Sequence, residues 1–240
     1  MQHGPSESQR RYQDGTQLGL TPDWFESDAA WKAHRVREMM RKNALEPASI
    51  CDLGCGTGGV LDHLSRTLPT GTELVGSDMS SQAIALAPED RRQRITFVNE
   101  PAECAGGGYD LMLVLDVVEH VEDYFGFLQA IRGKAELFIF HIPLDVSVQT
   151  VLRASPFRRA REALGHLHYF SRETALSTLR DTGYEVLDEE FTQPGVDLWG
   201  GKSKMARLPR RMAFRLNPGL AARVMGGFSL LVLAKPRDHP

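Results

Sequence analysis

The sequence predicts an α/β protein with a Rossmann-like, seven-stranded, mostly parallel sheet, helices on both faces and a helical insertion before the last strand. Apolar strand-like segments alternate along the chain with amphipathic helical segments, the pattern of repeated βαβ units. A glycine-rich turn separates the first predicted strand from the next helix. The runs 109–115 and 137–142 are almost wholly apolar, as expected for central strands that are buried on both faces of a parallel sheet.

The predicted elements begin with a helix over residues 24–45, where apolar side chains recur at helical spacing until Pro47 ends the pattern. Strands are predicted at residues 49–53, 73–77, 95–98, 109–115, 137–142, 185–191 and 228–234. Helices are predicted at residues 60–68, 80–87, 121–132, 148–164 and 171–182, with one or two more in 205–224. Ser171 is the expected N-cap of its helix, and Gly183 ends that helix.

The length of 240 residues is that of one large domain. Residues 24–240 are predicted to form a single domain, preceded by a flexible leader or lid at residues 1–23. Two segments, 145–168 and 196–224, interrupt the alternation of strands and helices and are predicted to be helical insertions that cover a substrate. Hydrophobic residues make up 42% of the chain, which is enough for a buried core and argues against general disorder.

The composition also limits which binding partners and which cellular compartment are expected for the protein. The 28 basic and 31 acidic side chains give a formal net charge of −3, unlike the basic surplus that is typical of non-specific nucleic-acid binding. No apolar stretch approaches the ~20 residues needed to cross a bilayer, and the polar N-terminus has no signal-peptide core. Cys51, Cys55 and Cys104 lack metal-ligand spacing and fit a reducing environment, so a cytoplasmic protein is predicted.

The turn after the first strand carries the most specific motif of the sequence. Gly54, Gly56 and Gly58 stand between a strand and a helix, where they permit a tight turn and let a ligand approach the backbone. The same stretch matches the pattern G-x-G-x-x-G through Gly59, so a nicotinamide dinucleotide site is an alternative. Asp52 argues against it, because a carboxylate before the first glycine repels a pyrophosphate and suits a ligand with an ammonium group.

The next predicted strand ends at a second acidic residue. Asp78 lies 20 residues after Gly58 and can accept hydrogen bonds from both ribose hydroxyls of either cofactor. The neighbouring Met79 can pack on the face of a purine. A ribose, an ammonium group and an apolar slot together describe S-adenosylmethionine (SAM).

Residues 52–58 (DLGCGTG) resemble motif I of the class I SAM-dependent methyltransferases, and residues 76–79 resemble the second motif of that family. The segment 115–121 (LDVVEHV) looks like the D-V-x-E-H-V segment of the ubiquinone and small-molecule branch. Residues 165–171 (GHLHYFS) are similar to a later segment of the same branch. The resemblance covers about residues 45–235 and implies the fold and the methyl donor of that family.

The resemblance implies that the methionine end of SAM lies over the glycine turn, with Asp52 at its ammonium and Asp78 at its ribose. Met79 is expected to line the adenine pocket. The partner of the adenine amine is open between Asn99 and Glu100, which stand where the family often carries an acidic residue. The predicted cofactor-binding residues are Asp52, Gly54, Gly56, Gly58, Asp78, Met79, Asn99, Glu100 and Asp116.

Methyl transfer from a sulfonium is an in-line displacement, so the protein mainly aligns donor and acceptor and excludes water. A base is needed only where the acceptor must lose a proton, and histidine suits that role near pH 7. The candidate catalytic bases are His120, His141 and His168, which are all predicted near the carboxyl edge of the sheet.

The segment 115–121 allows other roles as well. Some relatives with a Glu-His pair here bind a divalent metal, and Asp116, Glu119 and His120 have a compatible spacing. The sequence does not fix a fourth ligand, so no metal site is assigned. Asp116 ends the fourth predicted strand at the edge where open α/β sheets bind ligands. The structural alternative is that Asp116 is an N-cap and that Glu119 and His120 orient the next helix.

Residues 202–226 are strongly basic. They include no acidic residue and seven basic ones, which are Lys202, Lys204, Arg207, Arg210, Arg211, Arg215 and Arg223. Removing these charges from the net charge of −3 leaves −10 on the rest of the chain. Met205, Leu208, Met212 and Leu216 recur near helical spacing, which predicts a helix docked on the sheet by this apolar stripe, with a solvated outer face. The alternative is contact with an anionic partner, either a phosphorylated or nucleotide-linked substrate or a membrane surface.

The predicted function is methyl transfer from SAM to an oxygen or nitrogen of a small molecule, such as a sugar, a lipid-linked precursor or a secondary metabolite. The basic segments allow that acceptor to be anionic. A nucleic-acid methyltransferase, a NAD-dependent dehydrogenase and a catalytically silent SAM-binding protein are the alternatives. No nucleic-acid-binding module is recognised in the sequence, and Asp52 disfavours the dehydrogenase. Asp52, Asp78 and the three glycines argue against a loss of SAM binding but do not address a loss of methyl transfer. Tyr12, Trp24, His168 and Tyr169 are expected to help to cover the acceptor, and the oligomeric state is not indicated.

Overall fold

The structure, a computed structural model, describes residues 26–100, 106–198 and 204–237. The predicted leader at residues 1–23, which includes Tyr12, lies outside the described residues, as do Trp24 and Cys104. The strands of the described part are β1 (Ser49–Leu53), β2 (Glu73–Ser77), β3 (Thr96–Val98), β4 (Tyr109–Leu115), β5 (Ala135–Leu144), β6 (Tyr184–Thr192) and β7 (Phe228–Pro236).

These strands form one sheet in the order β3-β2-β1-β4-β5-β7-β6. Strands β1 to β5 pair in parallel, and β7 is antiparallel to both β5 and β6. The predicted seven-stranded, mostly parallel sheet is therefore confirmed. The strand order reverses between β1 and β4, and ligands of open α/β sheets bind in the crevice outside the carboxyl ends of the strands at such a point.

The helices alternate with these strands along the chain. They are α1 (Glu26–Lys42), α2 (Gly59–Ser65), α3 (Ser81–Ala85), α4 (Glu89–Arg92), α5 (Tyr124–Ile131), α6 (Val148–Arg153), α7 (Ser155–Arg159), α8 (Arg172–Asp181), α9 (Pro194–Asp197), α10 (Lys204–Leu216) and α11 (Pro218–Met225). A π-helical turn, Ala160–Leu164, continues α7, and short 3-10 turns lie at Val118–His120 and Arg132–Lys134.

Local capping explains where several helices begin. The Ser171 side chain accepts the Thr174 backbone N–H at 3.2 Å, which confirms Ser171 as the N-cap of α8. The helix predicted over 121–132 begins later than expected, because residues 118–120 form a 3-10 turn and Asp123 caps α5. In the predicted 205–224 region, Asn217 caps a second helix, so α10 and α11 are separate.

The sheet separates two apolar layers, and β4 contributes to both. Leu111 and Leu113 pack with α1 and α2 on one face, whereas Met112 and Val114 pack on the other face, where α5, α8 and α11 lie. Because successive side chains of a strand point to opposite faces, a strand covered on both sides is apolar at every position. This arrangement accounts for the continuous apolar run that predicted a central strand.

The long helix of the basic segment does not dock in the predicted way. Ala213 and Phe214 pack against the core, and the Phe214 ring stacks on Phe228 with centroids 5.3 Å apart. Leu208, Met212 and Leu216 belong to the opposite, exposed side of α10. The prediction that their apolar stripe attaches the helix to the sheet is therefore wrong. Among the described residues, no helix combines the length and the apolar character required to cross a membrane.

Candidate active site

The glycine turn between β1 and α2 has a backbone conformation that favours glycine. Gly54, Gly56 and Gly58 have φ angles of +73°, +56° and +78°, in the left-handed region. A Cβ atom on Gly54 would lie 2.8 Å from Cγ2 of Val117, and one on Gly58 would lie 2.6 Å from Cζ of Phe97. Glycine at these two positions therefore lets Val117 and Phe97 pack against the turn, which lies near the point where the strand order reverses and where open α/β sheets bind ligands.

Asp78, directly after β2, holds this turn in place. Its Oδ2 accepts a hydrogen bond from the Gly56 N–H at 2.8 Å, and its Oδ1 accepts one from the Ser80 N–H at 2.7 Å. Burial raises the pKa of Asp78, and the two backbone donors offset part of that rise. Each carboxylate oxygen keeps a second acceptor position, so Asp78 is able to bind two further hydroxyl donors.

The residues predicted around adenine follow β2 and β3. Asn99 donates a hydrogen bond from Nδ2 to the backbone carbonyl of Asp78 at 2.8 Å. Met79 is half-buried next to Asp78, whereas Glu100 is exposed. The contact with Asp78 leaves the amide oxygen of Asn99 as an acceptor that is held beside the end of β2.

Asp52 lies near the end of β1 and is buried. Burial raises the pKa of Asp52 to about 7, the Lys32 ammonium lowers it, and the Asp78 carboxylate raises it. A carboxyl group in this state is readily ionised by an approaching cation. Asp52 is therefore suited to pair with the ammonium group of a ligand.

Asp116, the residue after β4, connects three elements of the structure. Its φ angle of +57° is unusual for a residue other than glycine. Its Oδ2 lies 2.8 Å from Nζ of Lys32 in α1, and its Oδ1 lies 2.6 Å from Nδ1 of His141 in β5. Burial would raise the pKa of Asp116, but His141 and Lys32 hold it well below its usual range. The N-cap alternative is wrong, because Val117 occupies that position of the 3-10 turn.

Two of the three predicted bases have ring nitrogens that contact other groups of the protein. His141 is buried, and Nδ1 contacts Asp116 while Nε2 lies 2.9 Å from the Thr192 hydroxyl. Nε2 of His168 lies 3.2 Å from the backbone carbonyl of Glu122. Both ring nitrogens of His141 are therefore engaged, and the geometry favours a positioning role for this residue.

The remaining predicted base, His120, forms a cluster with Glu119 and His166. Its Nε2 lies 3.7 Å from Oε1 of Glu119, and the two histidine rings meet edge to face with centroids 5.1 Å apart. Nδ1 of His120 lies 3.2 Å from the carbonyl of Gly165, and Nδ1 of His166 lies 2.7 Å from Oδ2 of Asp145. These oxygens accept from Nδ1–H in the neutral tautomers, in which Nε2 carries the lone pair.

Within this cluster, Glu119 is the residue whose polar side-chain atoms lack hydrogen-bond partners among the described residues. Its side chain is fully buried, and neither carboxylate oxygen has a hydrogen-bond partner among the described residues. Burial raises the pKa of Glu119 to about 8, with a further rise from Asp116, whereas His166 lowers it. Burial would lower the pKa of His166, but the hydrogen bond with Asp145 raises it. A buried carboxyl group without a partner destabilises a protein, which points to a functional role for Glu119.

The same cluster has the donor set of a metal site. One ligand atom each from Glu119, His120 and His166 lies within 4.8 Å of the others. Oxygen acceptors at both Nδ1 atoms orient the rings, as they do in metal centres, and the unpartnered Glu119 carboxyl group can supply an anionic oxygen when a cation lowers its pKa. The metal-ligand set considered from sequence spacing also included Asp116. That set is not assembled, because Asp116 contacts Lys32 and His141 instead.

Related sequences are consistent with this geometry. Residues 26–189 match the family model described as a methyltransferase domain. The chain belongs to this methyltransferase family. The predicted class I SAM-dependent methyltransferase, an enzyme with SAM as its methyl donor, is thereby confirmed.

Curated relatives of this methyltransferase include the ubiquinone biosynthesis O-methyltransferases of Cereibacter sphaeroides, 31% identical over 102 residues, and Rhodopseudomonas palustris, 33% identical over 91 residues. The matches cover 40% and 36% of this chain and 40% and 35% of those relatives. The chain thus spans well under half the length of the curated relatives that it matches.

Solved methyltransferase structures share the fold at low sequence identity. Magnesium protoporphyrin IX methyltransferase from Synechocystis PCC 6803 with bound SAM gives a TM-score of 0.62 at 14% identity, over 98% of this chain and 100% of that one. The N-methyltransferase NodS of Bradyrhizobium japonicum gives 0.55 at 15% identity, over 85% and 87%. At these identities the similarity establishes the fold.

This methyltransferase also has site residues that the sequence analysis did not identify. Arg91 in α4 donates to both oxygens of Glu26 in α1, at 2.9 and 2.8 Å, and to the Thr57 carbonyl at 3.0 Å. These contacts join the glycine turn to two helices that are distant in sequence. His166 lies within the segment 165–171 but was not singled out from the sequence. The available signal was Asp145, directly after β5, which is the hydrogen-bond partner of His166 in the structure.

Proposed function

We propose that this methyltransferase transfers a methyl group from SAM to a hydroxyl oxygen of a small molecule. The cluster of Glu119, His120 and His166 carries the proposal, because a hydroxyl becomes a strong nucleophile when a nearby group takes its proton. The curated relatives are named as O-methyltransferases, which supports the same reaction. The free, buried Cys51 and Cys55 support the proposal of a reducing, cytoplasmic location.

The glycine turn and its neighbours fit SAM, which supplies an electrophilic methyl group on a sulfonium sulfur when it is bound. We assign the turn to the methionine end, because its three glycines have a left-handed backbone and lie where the strand order reverses, at the carboxyl edge of the sheet. Asp52, buried before the turn, is assigned to the ammonium group, and Asp78, with its remaining acceptor positions, to the ribose hydroxyls. The amide oxygen of Asn99 is assigned to the adenine amine, and Met79 to the adenine face.

We assign proton removal from the acceptor to Nε2 of His120, the member of the cluster that is partly open to solvent. The buried Glu119 carboxyl group lies 3.7 Å from this atom, and its ionised form, which predominates above its pKa of about 8, stabilises the imidazolium that forms. His166, oriented by Asp145, closes the buried side of the cluster. A divalent cation held by the same three side chains would supply Lewis-acid chemistry to the acceptor oxygen. In both cases the acceptor lies between this cluster and the glycine turn.

The proposal is tested by incubating the protein with SAM labelled at its methyl group and a panel of small alcohols, phenols and amines. We expect label on oxygen, with S-adenosylhomocysteine formed in equal amount. Label on nitrogen alone would contradict the hydroxyl assignment, and label on neither class would contradict the reaction. Chelation before the assay separates the two versions of the chemistry. Activity lost and restored by a divalent cation indicates the Lewis acid, whereas unchanged activity indicates proton removal by His120.

The binding of SAM is expected to depend on pH through Asp52. Its pKa of about 7 in the free protein means that the carboxyl group is mostly protonated at pH 5.5 and mostly ionised at pH 7.5. Only the ionised form attracts an ammonium group, so the affinity for SAM should rise about tenfold over this interval. Calorimetric titrations at several pH values measure the effect.

Matched variants identify the group responsible for this pH dependence. Asp52→Asn should bind SAM more weakly and lose the pH dependence. Asp110→Asn, which changes a carboxyl group that accepts the backbone N–H groups of Ala48 and Ser49 at the other end of the strands, should retain it. A pH dependence that persists in Asp52→Asn would show that another group pairs with the ammonium.

A further inference from the structure

Exposed apolar side chains are concentrated on one part of the surface. Of the twelve large apolar side chains that are exposed among the described residues, eight belong to the three helices α6, α10 and α11. They are Val148, Val151 and Leu152 on α6, Leu208, Met212 and Leu216 on α10, and Leu220 and Val224 on α11. Leu152 and Leu216 are 80% and 85% exposed, so these two side chains make few contacts with the other described residues.

The three helices form one continuous body. Arg210 of α10 donates hydrogen bonds to Oε1 of Gln149 in α6 at 2.9 Å and to the Met225 carbonyl at the end of α11 at 3.0 Å. Helix α11 also packs against both α6 and α10. The eight exposed side chains therefore lie on one group of adjoining helices, and we call their exposed sides together the insertion surface.

The apolar stripe on α10 is not a core-facing stripe. Its members, Leu208, Met212 and Leu216, are four residues apart and so lie on one side of the helix. The residues that attach α10 to the core, Ala213 and Phe214, lie on a different side. Because α10 is attached to the core by its other side, the apolar stripe remains exposed and can contact a partner.

Basic side chains accompany this stripe. Arg211 and Arg215 are three and seven residues after Leu208, which places them beside the stripe on the helix surface, and both are exposed. Arg153 on α6 and Arg223 on α11 are also exposed. Asp197 lies 3.8 Å from Arg211, and Glu173 pairs with Arg223, whereas helices α10 and α11 contain no acidic residue.

We propose that the insertion surface docks this protein on an anionic phospholipid bilayer. Helices that lie at a membrane surface combine aliphatic side chains with neighbouring arginines. The aliphatic groups enter the boundary of the acyl chains, and the arginines contact the lipid phosphates. A second copy of the chain fits less well, since it would bring two basic surfaces together. A nucleic acid would use the arginines but not the exposed aliphatic groups. The surface is separate from the methyl-transfer chemistry, so the proposal goes beyond the proposed function.

Vesicle sedimentation of the whole protein tests the proposal. Vesicles of phosphatidylglycerol and phosphatidylcholine in equal parts are compared with vesicles of phosphatidylcholine alone. We expect binding to the anionic vesicles to be at least about tenfold stronger and to weaken at high salt, because the arginine contacts are screened. Equal binding to both vesicle types, or no binding to either, would overturn the proposal.

Variants assign the binding to the surface. The triple variant Leu208→Ser, Met212→Ser, Leu216→Ser changes only exposed side chains of α10 and should lose at least about tenfold in vesicle binding. The double variant Leu86→Ser, Leu187→Ser changes exposed leucines outside the insertion surface and should bind like the parent protein. Both variants should keep the affinity of the parent for SAM. A dimer that is present in the parent and lost in the triple variant, with vesicle binding unchanged, would assign the surface to self-association and overturn the proposal.

Discussion

Replacing Asp78 with alanine is expected to weaken the binding of SAM at least about a hundredfold. The change removes a charged acceptor for two ribose hydroxyls, and each such hydrogen bond contributes ~1.5–3 kcal/mol. Together they correspond to two or more orders of magnitude in the dissociation constant. The change also leaves the Gly56 and Ser80 N–H groups without their acceptor, so the glycine turn loses its anchor as well. Calorimetric titration with SAM measures the loss.

A second carboxylate provides the control for this prediction. Asp188, on β6 at the far edge of the sheet, accepts hydrogen bonds from Lys42 at 2.8 Å and from Asn43 at 2.9 Å. Asp188→Ala removes an acceptor of the same kind away from the turn and should leave the affinity for SAM unchanged. Asp78→Asn keeps one acceptor oxygen and serves as the test if the alanine variant does not fold. Undiminished binding in folded Asp78 variants would mean that the ribose lies elsewhere.

Replacing Glu119 with glutamine is expected to lower the turnover number about a hundredfold. The amide has nearly the same size but cannot ionise to stabilise a positive charge on His120, 3.7 Å away, and proton transfer of this kind contributes about a hundredfold or more to a rate. Thermal stability at pH 7 should change little, because a neutral amide replaces a buried carboxyl group that has no hydrogen-bond partner among the described residues and is itself mostly neutral below its pKa of about 8. Steady-state kinetics and thermal unfolding of the same preparation give both quantities.

The exposed Glu122 provides the matched control in the next turn of the chain. Glu122→Gln should leave turnover and stability unchanged, and both variants should bind SAM as the parent does. Full turnover in Glu119→Gln would remove Glu119 from the mechanism. A marked drop in its unfolding temperature would instead show that the carboxyl group stabilises the fold.

The parts of the fold that could be predicted depend on neighbours in the sequence. The bounds of β1, β2 and β4 match the predicted strands 49–53, 73–77 and 109–115, because burial on both faces leaves an uninterrupted apolar run. The turn at Gly54 was predictable because a left-handed backbone requires glycine. Helix α8 was predictable because its cap, Ser171, bonds a backbone group three residues away. Each of these features expresses a constraint that acts within a few residues.

The candidate site divides in the same way. Asp52, Asp78 and the three glycines lie next to strand ends, so the sequence could place them at one edge of the sheet. The pairing of His166 with Asp145, 21 residues apart, and of Asp116 with Lys32 in α1 required the packed structure. Sequence spacing grouped Asp116 with Glu119 and His120. In the structure, the third member of that cluster is His166 and not Asp116.

The sequence by itself determined the sheet, the glycine turn, the family and the acidic residues at the carboxyl edge, since periodicity, backbone conformation and strand order fix these features locally. The tertiary structure decided which histidine is partly exposed, which carboxyl group lacks a partner among the described residues, and which side of α10 faces outward. Helical spacing indicates that Leu208, Met212 and Leu216 share a side but not what covers that side. That outcome depends on how Phe214 packs on Phe228, because burial is a property of the whole packed molecule rather than of one segment.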